Sequence, residues 1–338
     1  MSGSSNSRWL ALTPGDPDGI GPEILWKVVQ ANPSLSNRLL CFGSFEGLKR
    51  VGAQIDLVDP DHLQETLHLL PPSVEPRVRL VAAPDTAPRK KNLSGFQSGW
   101  AIEKATRSVL RGTTRALVTG PISKEHLKKG GFSFPGHTEF LAHLCKKKSA
   151  TMMLTNSALR VSLVTVHAPL RKVASLVTPA AIQRTINDTY HYLVDAVGIG
   201  RPRIAVLALN PHAGEHGLLG TEEKQTIMPT LRKIRVSYAD RAQIDGPFAA
   251  DTFFALNQAR SKSARYDAVI AMYHDQGLVP VKLLDFTRTV NVTLGLPITR
   301  TSVDHGTGFD IAGKGIADPS SLEAAIELAD KICQRERQ

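Results

Sequence analysis

The chain has few cysteines: Cys41, Cys145 and Cys333, an odd number at wide spacing. That pattern suggests neither a disulfide framework nor a thiolate zinc site, and a reducing cytoplasm suits it best. Aromatic residues are also sparse at 6% and do not interleave with the short basic clusters at 89–91, 128–129 and 146–148. A nucleic-acid partner is therefore not expected, even though the net charge is +10. The basic balance instead suits a site that steers anionic small molecules inward. No apolar run approaches the length of a membrane-spanning helix, so no membrane partner is expected. The opening M-S-G-S-S-N-S-R lacks the apolar core of a secretory signal, and residues 1–7 read as a disordered tail. Internal repeats and long linkers are lacking. So is the G-x-G-x-x-G of a Rossmann nucleotide site, because Gly15, Gly19 and Gly21 have the wrong spacing.

What the sequence does contain is an alternation of short apolar runs and helical periods. Strand candidates are 9–13, 39–42, 78–81, 116–119, 151–154, 161–166, 204–209, 268–272 and 290–293. Helical periodicity covers 99–110, 138–145, 179–197 and 321–332, which predicts an α/β fold with a largely parallel sheet. Three runs end in a histidine: V-S-L-V-T-V-H at His167, I-A-V-L-A-L-N-P-H at His212 and D-A-V-I-A-M-Y-H at His274. Ligands of open α/β sheets bind beyond the carboxyl ends of the strands. Three imidazoles delivered there suit a catalytic metal with open coordination positions. A single histidine after a strand is more often a plain loop residue, and spacing alone does not join the three.

Other segments also suit binding. F-P-G-H-T-E-F places His137 and Thr138 at a helix start, where free N–H groups favour an anion; the plain alternative makes Thr138 a helix cap. Pro22 and Glu23 suit the first turn of the helix after the P-G-D-P-D-G-I-G loop. Lys282, Asn291, Arg300, Asp304 and His305 fall in glycine-rich sequence with little periodicity, and the arginine fork fits phosphate or carboxylate. Lys282 and Asp251 are the candidates for a general base.

Seven motifs, taken in order, carry a resemblance. They are G-D-P-D-G-I-G-P-E-I, V-T-G-P-I-S-K, F-P-G-H-T-E-F-L-A, V-T-V-H-A-P-L, L-N-P-H-A-G-E, Y-H-D-Q-G-L-V-P-V-K and R-T-S-V-D-H-G-T-G-F-D-I-A-G-K-G. From Leu10 to the C-terminal helix the chain resembles the 4-hydroxythreonine-4-phosphate dehydrogenase family of pyridoxal phosphate biosynthesis. The two outer motifs also resemble isocitrate and isopropylmalate dehydrogenases, which bind a nicotinamide without a Rossmann fingerprint.

The resemblance implies two α/β/α lobes with a cleft between them. Residues 8–135 with 275–338 would carry the cofactor loop, and 136–274 the metal and dimer contacts. It implies a homodimer in which His167 and His212 of one subunit and His274 of the other hold a divalent metal. Zinc is the leading candidate, with magnesium, manganese and cobalt as others. His137, Thr138, Lys282, Asn291 and Arg300 would contact the substrate, and Asp304, His305 and Gly306 would contact NAD or NADP. The implied reaction oxidises 4-phosphohydroxy-L-threonine to a β-keto acid that decarboxylates, with one cation serving both steps as a Lewis acid. A sister reading takes 4-phospho-D-threonate or a cyclic dihydrodiol carboxylate instead. A remote reading is a phosphate-binding acyltransferase on a related scaffold. Asp18 departs from the family pattern, which has a small residue there.

Overall fold

A computed structural model of the chain describes residues 8–88 and 91–335. The expected N-terminal tail and part of the basic cluster at 89–91 lie outside the described residues. The chain divides into two compact units, Met1–Ala150 with Leu296–Gln338, and Thr151–Gly295.

In chain order, the first unit opens with β1 (Leu10–Thr13), α1 (Gly21–Ala31), β2 (Leu39–Gly43), α2 (Phe45–Arg50), β3 (Ile55–Leu57) and α3 (Leu63–Leu69). It continues through β4 (Val78–Ala82), α4 (Leu93–Leu110), β5 (Ala116–Thr119), α5 (Lys124–Lys129) and α6 (His137–Leu144). The second unit holds β6 (Thr151–Thr155), β7 (Arg160–Leu163), α7 (Leu170–Leu176), α8 (Pro179–His191), β8 (Arg203–Leu207) and α9 (Met228–Tyr238). It ends with β9 (Gln243–Phe248), α10 (Ala250–Ala259), β10 (Ala268–Ala271), α11 (His274–Leu284) and β11 (Val290–Leu294). The chain returns to the first unit with β12 (Thr299–Val303) and α12 (Ser320–Arg335).

The strands of the first unit run β3-β4-β2-β1-β5-β12, all parallel. β1, β2 and β5 are buried throughout, which is why they read as apolar runs without alternation. Helix α4 begins where the Asn92 side chain accepts the Gly95 N–H at 2.7 Å. Its Ala101, Ile102 and Ala105 join Leu40, Phe42 and Leu117 in one core cluster. Each large side chain in that core contributes about 1.5–3 kcal/mol by leaving water.

The second unit runs β11-β6-β7-β10-β8-β9, parallel from β7 to β9 and antiparallel at β6–β7 and β11–β6. Its core gathers Leu154, Val161, Leu163, Leu207, Val269 and Val281.

The sequence reading differs from the structure in several places. The boundaries expected after residues 135 and 274 fall after 150 and 295. Helix α6 stays in the first unit because Phe140, Leu141 and Cys145 pack into its core. Helix α11 and β11 stay in the second, where Val281 is buried and β11 pairs with β6. The strands expected at 161–166 and 204–209 stop at Leu163 and Leu207, so His167 and His212 lie in loops rather than at the last strand residue. The helix expected over 179–197 is α-helical to His191 and a π-helical turn beyond it. No helix of the described residues is long and apolar enough to cross a membrane.

Candidate active site

All three strand-end histidines belong to the second unit. β7 and β10 are parallel neighbours, and the chain leaving β7 stays beside the end of β10. The Val164 N–H donates to the Ala271 carbonyl at 2.9 Å, and Thr165 Oγ1 to the Met272 carbonyl at 2.8 Å. This contact places the His167 and His274 rings 5.9 Å apart. His274 opens α11, and its Nδ1 lies 2.6 Å from Asp275 Oδ1. A carboxylate on one ring nitrogen fixes tautomer and orientation and leaves the other nitrogen to bind.

His212 is positioned differently. Residues His212, Ala213, Glu215 and His216 all have positive φ, between 43° and 59°, although none is glycine. Such a run costs energy and persists only where the surroundings dictate it. The buried Glu223 anchors the chain just before this run: Oε1 accepts the Leu209 and Asn210 N–H groups, both at 2.8 Å, and Oε2 accepts Asn210 Nδ2 at 2.9 Å. Gln276 ties this loop to α11. Its Nε2 donates to the Ala208 carbonyl and its Oε1 accepts the Met272 N–H, both at 2.7 Å.

The first unit brings two of the expected substrate residues, His137 and Arg300, together. Arg300 on β12 is 1% exposed, and one of its N–H groups donates to Thr119 Oγ1 on β5 at 2.6 Å. Burial lowers its pKa to about 9, so the guanidinium remains charged at neutral pH. Burial, and then the charge of Arg300, hold the His137 pKa well below 6.5, so this imidazole is neutral. Its Nε2 is sealed from solvent with no hydrogen-bond partner among the described residues. The helix begins at His137 with Gly136 as cap, so Thr138 is not the cap.

The remaining expected residues are more dispersed. Lys282 lies in the last turn of α11, its Nζ 5.5 Å from the exposed Phe286 ring. It stands about 12 Å along the helix axis from His274. Asn291 on β11 has an Oδ1 sealed from solvent and without a hydrogen-bond partner among the described residues. Asp251 is exposed in the first turn of α10. In the first unit the Asp304 N–H donates to Ser321 Oγ, and His305 Nδ1 lies 2.9 Å from the Gly306 carbonyl oxygen.

Sequence reasoning missed Glu223 and the surroundings of Asp16. The only group of three metal-type ligands within reach of one another among the described residues is Asp16, Asp18 and His126. Asp16 is buried, and desolvation raises its pKa despite its contact with His126. Both its oxygens are engaged, Oδ2 with His126 Nδ1 at 2.8 Å and Oδ1 with the Asp18 N–H at 3.1 Å. Asp18 meets Arg50 and Ser94, so a cation would have to displace these partners.

The chain matches the family described as pyridoxal phosphate biosynthetic protein PdxA over residues 46–329. It belongs to that family. The chain is 44% identical to a 4-hydroxythreonine-4-phosphate dehydrogenase of Caulobacter vibrioides, with 97% of this chain and 98% of that protein covered. A Bradyrhizobium diazoefficiens protein to which D-threonate 4-phosphate dehydrogenase activity is attributed is 41% identical, covering 96% and 97%. The crystal structure of 4-hydroxythreonine-4-phosphate dehydrogenase from Klebsiella pneumoniae superposes with a TM-score of 0.83 at 36% identity, covering 97% of this chain and all of that one. As a member of the PdxA family the chain is an enzyme, an oxidoreductase of the dehydrogenase class.

Proposed function

We propose that this PdxA-family enzyme oxidises 4-phosphohydroxy-L-threonine to 2-amino-3-oxo-4-phosphooxybutanoate with NAD or NADP. The product decarboxylates to 3-amino-2-oxopropyl phosphate. The observation that carries the reading is the buried Arg300 beside a neutral His137, a charge arrangement that suits a phosphate ester. Arg300, His137, Thr138 and Asn291 bind and orient the substrate, so that remote binding energy aligns the reacting carbon. Lys282 and Asp251 are the candidate proton acceptors. Asp304, His305 and Gly306 contact the dinucleotide.

His167, His212 and His274 would hold the divalent metal, zinc before magnesium, manganese or cobalt, since imidazole ligands favour it. The residues fit that role: Asp275 orients His274, and Glu223 anchors Leu209 and Asn210 just before His212. When bound, the metal supplies Lewis acidity and the nicotinamide cofactor the hydride acceptor. The resemblance implies a homodimer in which the partner supplies His274, although the His167 and His274 rings of one chain also lie 5.9 Å apart. Val279, Leu283 and Phe286, 64%, 84% and 67% exposed on and just after α11, are an apolar face for that partner. The three free, buried thiols suit a reducing cytoplasm.

The deciding assay follows reduced-nicotinamide formation from 4-phosphohydroxy-L-threonine and 4-phospho-D-threonate side by side, with and without a strong chelator. Preference for the first, lost on chelation, is the expected result. Preference for the second moves the enzyme to the sister activity of the Bradyrhizobium protein. Glu223→Gln is expected to weaken metal binding roughly ten- to hundredfold, read by competition with a zinc indicator. Unchanged metal affinity would remove Glu223 from the site.

A further inference from the structure

Glu23 is the third residue of α1, yet its carboxylate serves a segment almost three hundred positions away in the sequence. It is 5% exposed. Oε2 accepts the N–H groups of Gly313 at 3.1 Å and Gly315 at 3.2 Å, and Oε1 accepts the N–H of Ala317 at 2.9 Å. Lys27, one turn on, pairs with Oε1 at 3.0 Å. The same Nζ donates to the carbonyls of Gly315 at 2.9 Å and Ala317 at 2.7 Å. One ion pair on one helix turn thus takes up five backbone groups of I-A-G-K-G-I-A. Burial alone would raise the Glu23 pKa, but Lys27 and the backbone donors outweigh it and lower it.

The geometry of the segment follows from this pair. Gly313 and Gly315 both have φ +74°, a conformation that strains any residue with a Cβ. Alternate N–H groups turn in to the carboxylate, while Lys314 and Ile316 between them are exposed, Ile316 to 67%. The loop before α1 meets the chain upstream of this segment, because the Ile20 N–H donates to the Thr307 carbonyl at 2.8 Å. An isolated loop with this many glycines would sample many shapes, and ordering it on binding would weaken affinity.

We propose that Glu23, locked to Lys27, is a positioning residue that holds the 313–317 loop in the shape that receives the dinucleotide. This rests on the reading of residues 304–306 as part of the cofactor site. The partners of the pair lie in residues 313–317, none of them a proposed substrate or metal residue. It therefore acts on cofactor affinity and leaves the chemical step alone.

The test uses full-length enzyme, with NAD and NADP assayed in parallel. Glu23→Gln keeps the size of the side chain but loses the ion pair and turns one acceptor into a donor. Its KM for the dinucleotide is expected to rise roughly tenfold, with kcat and the KM for the phosphorylated substrate within about twofold of wild type. Amide hydrogen exchange at 313, 315 and 317 speeds up in the variant without ligand. Lys27→Met keeps the carboxylate and its three donors and shows a smaller rise of the same sign; it carries the comparison should Glu23→Gln fail to fold, as judged by its melting curve. An unchanged dinucleotide KM, or a parallel loss in kcat and both KM values, would overturn the proposal. Wild-type exchange with and without dinucleotide tests the underlying reading separately. Protection across 304–317 on dinucleotide addition supports it, and no protection there shows that the cofactor binds elsewhere, whatever the variants do.

Discussion

His212→Ala is expected to lose turnover by on the order of a thousandfold or more, together with bound metal, while the protein stays folded. Under the proposed metal site, the loss stems from one missing imidazole out of three. The fold survives because His212 lies on an exposed loop, anchored before it by Glu223, and its ring is not buried in the core. His212 has φ 51°, so removing it also tests a strained backbone position. Asparagine tolerates that conformation better than alanine does, so His212→Asn separates backbone strain from the lost ligand. Both variants are expected to be equally inactive.

A second experiment asks which subunit supplies His274. If the site is shared, His212→Ala and His274→Ala homodimers are each dead. A mixed dimer then carries both lesions in one site and none in the other. Subunit exchange between the two inactive proteins should therefore restore roughly one quarter of wild-type activity by statistical mixing. No recovery after verified exchange would place all three histidines in one chain's site. Retained activity in metal-free His212→Ala would remove the metal from the proposed function.

What made these residues legible was local. β7, β8 and β10 are buried along nearly their whole length, so their sequences are mostly apolar with little alternation, and the histidines follow beyond the sheet's carboxyl end. What shapes those residues was not local. The left-handed run at 212–216 contains histidine, alanine and glutamate at positive φ, where sequence would lead one to expect glycine or asparagine. Glu223, which anchors the chain just before it, follows a glycine-rich stretch and reads as an ordinary charged residue at a helix start. Glu23 reads as a favourable first-turn acid, and its partners at 313–317 come from the far end of the chain.

β12 was missed for a related reason. T-R-T-S-V is polar, yet Arg300, Thr301 and Ser302 are buried because each finds a partner inside the fold. The boundary at α6 was misplaced because G-H-T-E-F was read for its chemistry, whereas Phe140 and Leu141 on the same helix decide which core it joins.

Arg300→Met is expected to raise the KM for the phosphorylated substrate roughly ten- to hundredfold, the range for a charge-assisted hydrogen bond to an anion. The substitution keeps much of the side chain's volume, and an apolar group costs nothing to hold at a site that is 1% exposed. The folded protein is therefore expected to be at least as stable as wild type at neutral pH. An unphosphorylated analogue should bind both proteins alike; an equal penalty on it would show that Arg300 does not read the phosphate.

The pH dependence gives a check with two opposite signs. With burial pulling its pKa far below the ordinary arginine range, to about 9, the guanidinium is charged below pH 9 and loses its proton above it. Substrate affinity carried by that charge is present below pH 9 and falls as pH rises past it. Stability moves the other way. Between the folded and unfolded values the unfolded chain binds more protons, so this group's contribution to stability rises with pH across that window. Other basic groups titrate there too, so the quantity to measure is the difference between wild type and Arg300→Met from pH 7 to 10. A difference in melting temperature that shrinks upward through pH 9, while the difference in KM also shrinks, identifies one buried proton behind both. A KM difference that stays constant to pH 10 would mean that the guanidinium keeps its proton, and that a counter-charge compensates its burial in the folded protein.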